Sequence, residues 1–135
     1  MSKTTNISII DDDEIYQFTM KYSLKPIENI GEVSFFNDGL EAIDFIVNHL
    51  KNPKKLPDII FLDINMPVMD GYQFIEEYRK IKPNLGKKIT IYMLSSSIDP
   101  IDLEKVKHID EVSNYYIKPI EQSVLKSIFQ NLKIE

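Results

Sequence analysis

Acidic groups, hydroxyls and one lysine stand where the apolar runs of this chain stop. Asp11, Asp12 and Asp13 follow ISII, Asp63 follows DIIFL, Ser95, Ser96 and Ser97 follow ITIYML, and Lys118 with Pro119 behind it follows YYI. Carboxylates gathered at one place repel one another unless a cation and the lysine offset them. Mg2+ is the cation that suits, a hard ion taking oxygen ligands, commonly one or two carboxylates with waters and a phosphate oxygen. A carboxylate beside it can act as a nucleophile on a phosphoryl group and form an aspartyl phosphate. Phosphoryl transfer asks for positioning and charge neutralisation more than for covalent machinery. Lys118 and the Ser95 hydroxyl are the candidates to hold two phosphoryl oxygens. The stretch FLDINMPVMDG turns sharply after Asp63, which would leave that carboxylate exposed with room for metal, water and phosphate.

Each residue also has a plainer use. Acidic groups after the first run suit a helix start, and Asp70-Gly71 reads as a helix cap and turn. The serines suit turns, and Lys118 alone suits a solvated strand end. A calcium loop is excluded, because Tyr16 stands where its glycine is needed. His49 and His108 fall in polar helical segments, away from the strand ends. The argument therefore rests on joint placement.

That placement depends on the elements. Five runs read as strands, 7–10, 33–36, 58–62, 89–94 and 115–117, mostly without polar alternation, as strands covered on both faces require. Helical periodicity lies between them: Ile15, Phe18 and Tyr22; then Leu40, Ile43, Val47 and Leu50; then Ile75, Tyr78 and Ile81; a more polar fourth segment; and Leu125, Ile128 and Leu132 in the last. The KNPKKLP segment at 51–57 reads as a loop. Alternating strands and helices with right-handed crossovers predict an α/β fold, a doubly wound five-stranded parallel sheet. Ligands of such sheets bind beyond the carboxyl ends of the strands, where the residues above gather.

At 135 residues, 43% hydrophobic and 27% charged, the chain predicts a single globular domain over 1–135. It has no cysteine, so disulfides and thiolate metal sites are excluded. A net charge of −5 disfavours direct nucleic-acid binding. No membrane span or secretory signal is read, and a cytoplasmic protein is expected.

These motifs together resemble the receiver domain of two-component response regulators, from about residue 7 to 132. The resemblance implies the flavodoxin-like (βα)5 fold with strand order 2-1-3-4-5. It also implies roles. The acidic pair falls on Asp11 and Asp12, with Asp13 ranked below them. The phosphoacceptor of the D-x-x-M-P-x-M-D-G signature falls on Asp63, and Asn65 would lend a backbone carbonyl to Mg2+. The hydroxyl position falls on Ser95, where threonine is commoner. The family lysine falls on Lys118, before a peptide bond to Pro119 that is usually cis. The switch aromatic coupled to Ser95 falls on Tyr115, and the positions that tune phosphoryl lifetime fall on Asn65 and Ser97.

By that resemblance Asp63 takes its phosphoryl group from a phosphohistidine on a sensor histidine kinase or histidine phosphotransfer protein, and self-catalysed hydrolysis follows. The readout would be the surface of the fourth helix, fifth strand and fifth helix. Seventeen residues follow Lys118, so no output domain is expected. Output would pass to an unknown downstream protein, through a phosphorylation-dependent homodimer, or by onward transfer. Two other readings stand beside it. One is a receiver fold that acts as a phosphorylation-independent interaction module. The other is an aspartate-nucleophile phosphohydrolase, disfavoured because Asn65 holds the place of its second, titrating aspartate.

Overall fold

The structure, a computed structural model, describes residues 4–97 and 99–134, with side chains to residue 131. The first three residues of the expected 1–135 domain, and the side chain of Leu132, lie outside the described residues. Strands β1 (Thr5–Ile10), β2 (Ile30–Phe36), β3 (Ile59–Asp63), β4 (Thr90–Ser95) and β5 (Val112–Ile117) form one parallel sheet in the order β2-β1-β3-β4-β5. Helices α1 (Glu14–Leu24), α2 (Gly39–Asn48), α3 (Gly71–Ile81), α4 (Pro100–Lys107) and α5 (Gln122–Ile134) connect and follow them. The expected fold class and strand order are both present.

Side chains alternate across the pleat, so one sheet feeds two cores. In β3, Ile60 and Leu62 pack with Ile43, Ile46, Phe74 and Val106 on the α2, α3 and α4 side. Ile59 and Phe61 pack with Tyr16, Met20, Leu125 and Phe129 on the α1 and α5 side. All five residues of β3 are buried, which is why the run carries no polar alternation. Among the described residues, no helix is long and apolar enough to cross a membrane.

Some readings of the sequence need correction. Ile15, Phe18 and Tyr22 do not face the core of α1; they are 79%, 69% and 66% exposed. The buried stripe is Tyr16, Met20 and Leu24. Both sets have helical spacing, so periodicity could not choose between them. In α2, Leu40 and Val47 are likewise exposed, and Ala42 and Ile46 are buried beside Ile43. Strands β2 and β5 begin three residues earlier than their apolar runs, since backbone pairing at a half-exposed sheet edge tolerates Gly31, Glu32, Ser113 and Asn114.

The β3–α3 connection holds a β-branched residue away from relaxed backbone. Val68 has φ of 66° and the Met69 N–H donates to the Pro67 carbonyl at 2.7 Å, a tight turn with a β-branched residue at its left-handed centre. The loop closes where the Gly71 N–H donates to the Ile64 carbonyl at 2.9 Å. A Cβ on Gly71 would lie 2.7 Å from the Asp63 carbonyl oxygen and 3.0 Å from the Ile64 Cα, both backbone atoms that cannot step aside. Opposite outcomes follow for the two ends of this loop. Val68→Asn, which accepts the left-handed turn, should raise unfolding stability by about 1 kcal/mol, and Gly71→Ala should lower it by about 2 kcal/mol. Urea unfolding measures both; a neutral Gly71→Ala would contradict the close approach.

Candidate functional site

The carboxyl ends of β1, β3, β4 and β5 form one acidic recess. Asp11 follows β1, Asp63 ends β3, Ser95 ends β4 and Lys118 follows β5. Asp11, Asp63 and Ser95 are the buried polar residues of this edge, at 1%, 5% and 2% exposure. Carboxylate oxygens of Asp11, Asp12 and Asp63 lie within 4.8 Å of one another, with Asp12 on the exposed side. The Lys118 ammonium donates to Asp11 Oδ2 at 2.8 Å and stands 3.6 Å from Asp63 Oδ2.

Local structure explains why each group stays there. The Lys118 N–H donates to the Ser95 carbonyl at 2.8 Å, continuing the β4–β5 ladder one residue past the strand. The Lys118–Pro119 peptide is cis. Asp13 caps α1, its side chain accepting from the N–H groups of Ile15 at 2.9 Å and Tyr16 at 3.3 Å. Its own N–H donates to Asp11 Oδ1 at 2.9 Å, so the third acid serves the helix and leaves Asp11 and Asp12 to the recess. Asp70 does the same for α3 in a reciprocal cap with Gln73.

The charges do not balance. Burial raises the pKa of Asp63 first, and the neighbouring Asp11 charge raises it further; Lys118 and a backbone hydrogen bond from Asn65 only partly oppose this, leaving the carboxyl pushed up to about 6. Burial works against the Lys118 ammonium, yet its hydrogen bond to Asp11 and the charges of Asp63 and Asp11 outweigh that and raise its pKa. The recess therefore presents oxygen donors alone and is short of positive charge once Asp63 ionises. That donor set fits a hard divalent cation such as Mg2+, with Asp11, Asp12 and Asp63 as its carboxylates.

The remaining residues singled out in the sequence sit around this centre. Asn65 and Ser97 are exposed in the loops after β3 and β4. The Ser97 N–H donates to Ser95 Oγ at 3.4 Å, a long contact. Tyr115 is half-buried in β5 and its hydroxyl donates to the Ser97 carbonyl at 3.4 Å, which links it to the loop after Ser95. His49 and His108 lie at the ends of α2 and α4, with contacts to Phe45 and Glu104. Tyr16, which in the sequence served only to exclude a calcium loop, has its ring centroid 4.7 Å from the Lys118 ammonium. Its spacing from the acids was that of any helical core residue, so no pattern marked it.

The family description "Response regulator receiver domain" matches residues 7–130. The crystal structure of a two-component response regulator from Cytophaga hutchinsonii is similar to this chain with a TM-score of 0.86 and 29% identity, covering 99% of this chain and 100% of that one. The sensor histidine kinase CheAY of Helicobacter pylori is 31% identical over 128 residues, 93% of this chain and 15% of that protein. The probable methanogenesis regulatory protein FilR2 of Methanothrix harundinacea is 22% identical over 127 residues, 94% of this chain and 80% of that protein. The chain thus spans most of one relative and a small part of the other.

The raised pKa of Asp63 makes stability depend on pH. Between about pH 4 and 6 the folded form holds a proton that the unfolded chain has released, so this group favours folding most below pH 4 and loses that contribution as pH rises through 6. Asp63→Asn removes the loss. Without divalent cations it should be more stable than the parent by about 2 kcal/mol at pH 7.5, and the gain should vanish near pH 4. Thermal unfolding of both proteins across that range checks it; a gain independent of pH would contradict the cause given.

Proposed function

The chain belongs to the response regulator receiver domain family of two-component signalling, and from that premise we propose that Asp63 is a phosphoacceptor charged by a phosphohistidine donor. The observation that supports this most is the position of Asp63, a carboxylate at a strand end within 3.6 Å of an ammonium and beside two further carboxylates. The donor is a sensor histidine kinase or a histidine phosphotransfer protein, and the setting is cytoplasmic.

In this reading an Asp63 carboxylate oxygen attacks the phosphorus, the P–N bond of the donor breaks, and the released imidazole takes up its proton from solvent. Mg2+, held by Asp11, Asp12, Asp63 and the Asn65 carbonyl, supplies charge neutralisation when bound. Asp63 must be ionised to act, so without a bound cation its raised pKa opposes transfer below about pH 6. Lys118, 2.8 Å from Asp11 and 3.6 Å from Asp63, is placed to swing its ammonium to an arriving phosphoryl oxygen. Ser95 offers its hydroxyl to another. Asn65 and Ser97, exposed at the rim, are positioned to govern how readily water reaches the acyl phosphate.

The added charge is read out through Ser95 and Tyr115. Drawing Ser95 toward the phosphoryl group shifts the loop that carries Ser97, and Tyr115 loses the carbonyl to which its hydroxyl donates. The α4, β5 and α5 surface then changes shape for a downstream protein or a second copy. A phosphoryl group shifts this equilibrium only by its differential affinity for the two states.

Incubation with acetyl phosphate, followed by intact mass, tests the reading. One phosphoryl adduct that needs Mg2+ and is absent from Asp63→Asn is expected. Tyr115→Ala should keep the adduct and lose phosphorylation-dependent partner capture. Absence of an adduct from both acetyl phosphate and a phosphohistidine protein would overturn the phosphoacceptor reading in favour of a phosphorylation-independent module. Catalytic release of phosphate from added esters would favour a phosphohydrolase.

A further inference from the structure

Lysine has a flexible four-carbon stem, and the ammonium of Lys118 has two carboxylates to choose between. It donates to Asp11 at 2.8 Å and stands 3.6 Å from Asp63, so a move of less than an ångström would exchange one partner for the other. A third contact comes from α1. The Lys118 ammonium stands 4.7 Å from the centroid of the Tyr16 ring, and both side chains are largely sequestered, Tyr16 at 7% and Lys118 at 12% exposure. An ammonium shielded from water is attracted to the face of an aromatic ring. That face has no single acceptor atom, so it holds the ammonium near the carboxylates without competing for its hydrogen bonds.

The setting of Tyr16 suits the same task. Its N–H donates to the Asp13 cap at 3.3 Å, which ties the start of its helix to the acidic run. Its hydroxyl is enclosed with no hydrogen-bond partner of ordinary geometry, and the Ile120 backbone acts on it from the segment just beyond Lys118 and Pro119. Tyr16 thus touches the recess and the lysine-bearing segment together.

We infer that Tyr16 is the positioning residue for Lys118, a π surface over which the ammonium moves from Asp11 toward a phosphorylated Asp63. This rests on the reading of Asp63 as phosphoacceptor. The aromatic ring carries the role, and the carboxylates carry metal binding, so the two are separable by substitution.

The test compares Tyr16→Phe and Tyr16→Met, alone and with Lys118→Ala, by the rate of adduct formation from acetyl phosphate and by Mg2+ affinity. Tyr16→Phe should stay within about twofold of the parent rate, and Tyr16→Met should fall about tenfold with Mg2+ affinity unchanged. With Lys118→Ala, Tyr16→Met should cost nothing further, because the interaction is already gone. A parent-like rate for Tyr16→Met, an equal loss in Tyr16→Phe, or the same loss with Lys118→Ala would each overturn the inference. Nuclear magnetic resonance of the unphosphorylated parent adds a readout that needs no variant and no phosphotransfer. The Lys118 ε-methylene protons should be shifted upfield by the ring current of Tyr16 and remain so in Tyr16→Phe; unshifted protons would overturn the contact. Failure of the parent to form any adduct, with that upfield shift present, would refute the phosphoacceptor reading and not the Tyr16–Lys118 contact.

Discussion

The ammonium of Lys118, set among Asp11, Asp12 and Asp63 at the carboxyl edge of the sheet, is the constraint on which the rest of this molecule depends. Lys118 satisfies Asp11 at 2.8 Å and reaches Asp63 only at 3.6 Å, so the recess is left with more negative than positive charge. In water such an imbalance would be screened. Here burial first, and the uncompensated Asp11 charge second, leave an Asp63 carboxyl that resists ionisation until about pH 6. The same imbalance makes the recess a fitting place for a hard divalent cation.

The fold brings these charges together by topology. Parallel strands all point their carboxyl ends to one edge, so residues 11, 63, 95 and 118, far apart in sequence, become neighbours without any local motif spanning them. Two well-packed cores hold that edge in place, and the caps at Asp13 and Asp70 start α1 and α3 immediately behind it. In the connection that follows Asp63, Val68 adopts the left-handed conformation and Gly71 lies against the Asp63 carbonyl. The sharp turn of that stretch keeps the chain close to the sheet, and Asp63 itself stays buried rather than raised above it.

Much of this was legible in the sequence because the signals were of the kind that burial on two faces imposes. The uninterrupted apolar run at 59–62 could hardly be anything but a central strand, and polar residues at the ends of such runs marked the edge where Asp11, Asp63, Ser95 and Lys118 meet. What periodicity could not supply was phase. In α1 two stripes of equal spacing competed, and the sheet selected Tyr16, Met20 and Leu24 over Ile15, Phe18 and Tyr22. That choice decides which aromatic ring lies under Lys118, so the contact was invisible until the helix was docked. The early starts of β2 and β5 were hidden for a different reason: edge strands are held by backbone pairing, which leaves no hydrophobic trace. The exposure expected for the Asp63 carboxylate was also too great, since a turn in sequence does not reveal how closely the loop packs.

Calorimetric titration of the unphosphorylated protein with Mg2+ at pH 6, in two buffers of different ionisation enthalpy, tests the central charge argument most directly. One ion should bind and release about half a proton, because Asp63 is then about half protonated and must ionise to serve as a ligand. The released fraction should fall toward zero at pH 8 and be absent in Asp63→Asn. Saturable binding without proton release at pH 6, or no binding at all, would contradict the account of a recess short of positive charge.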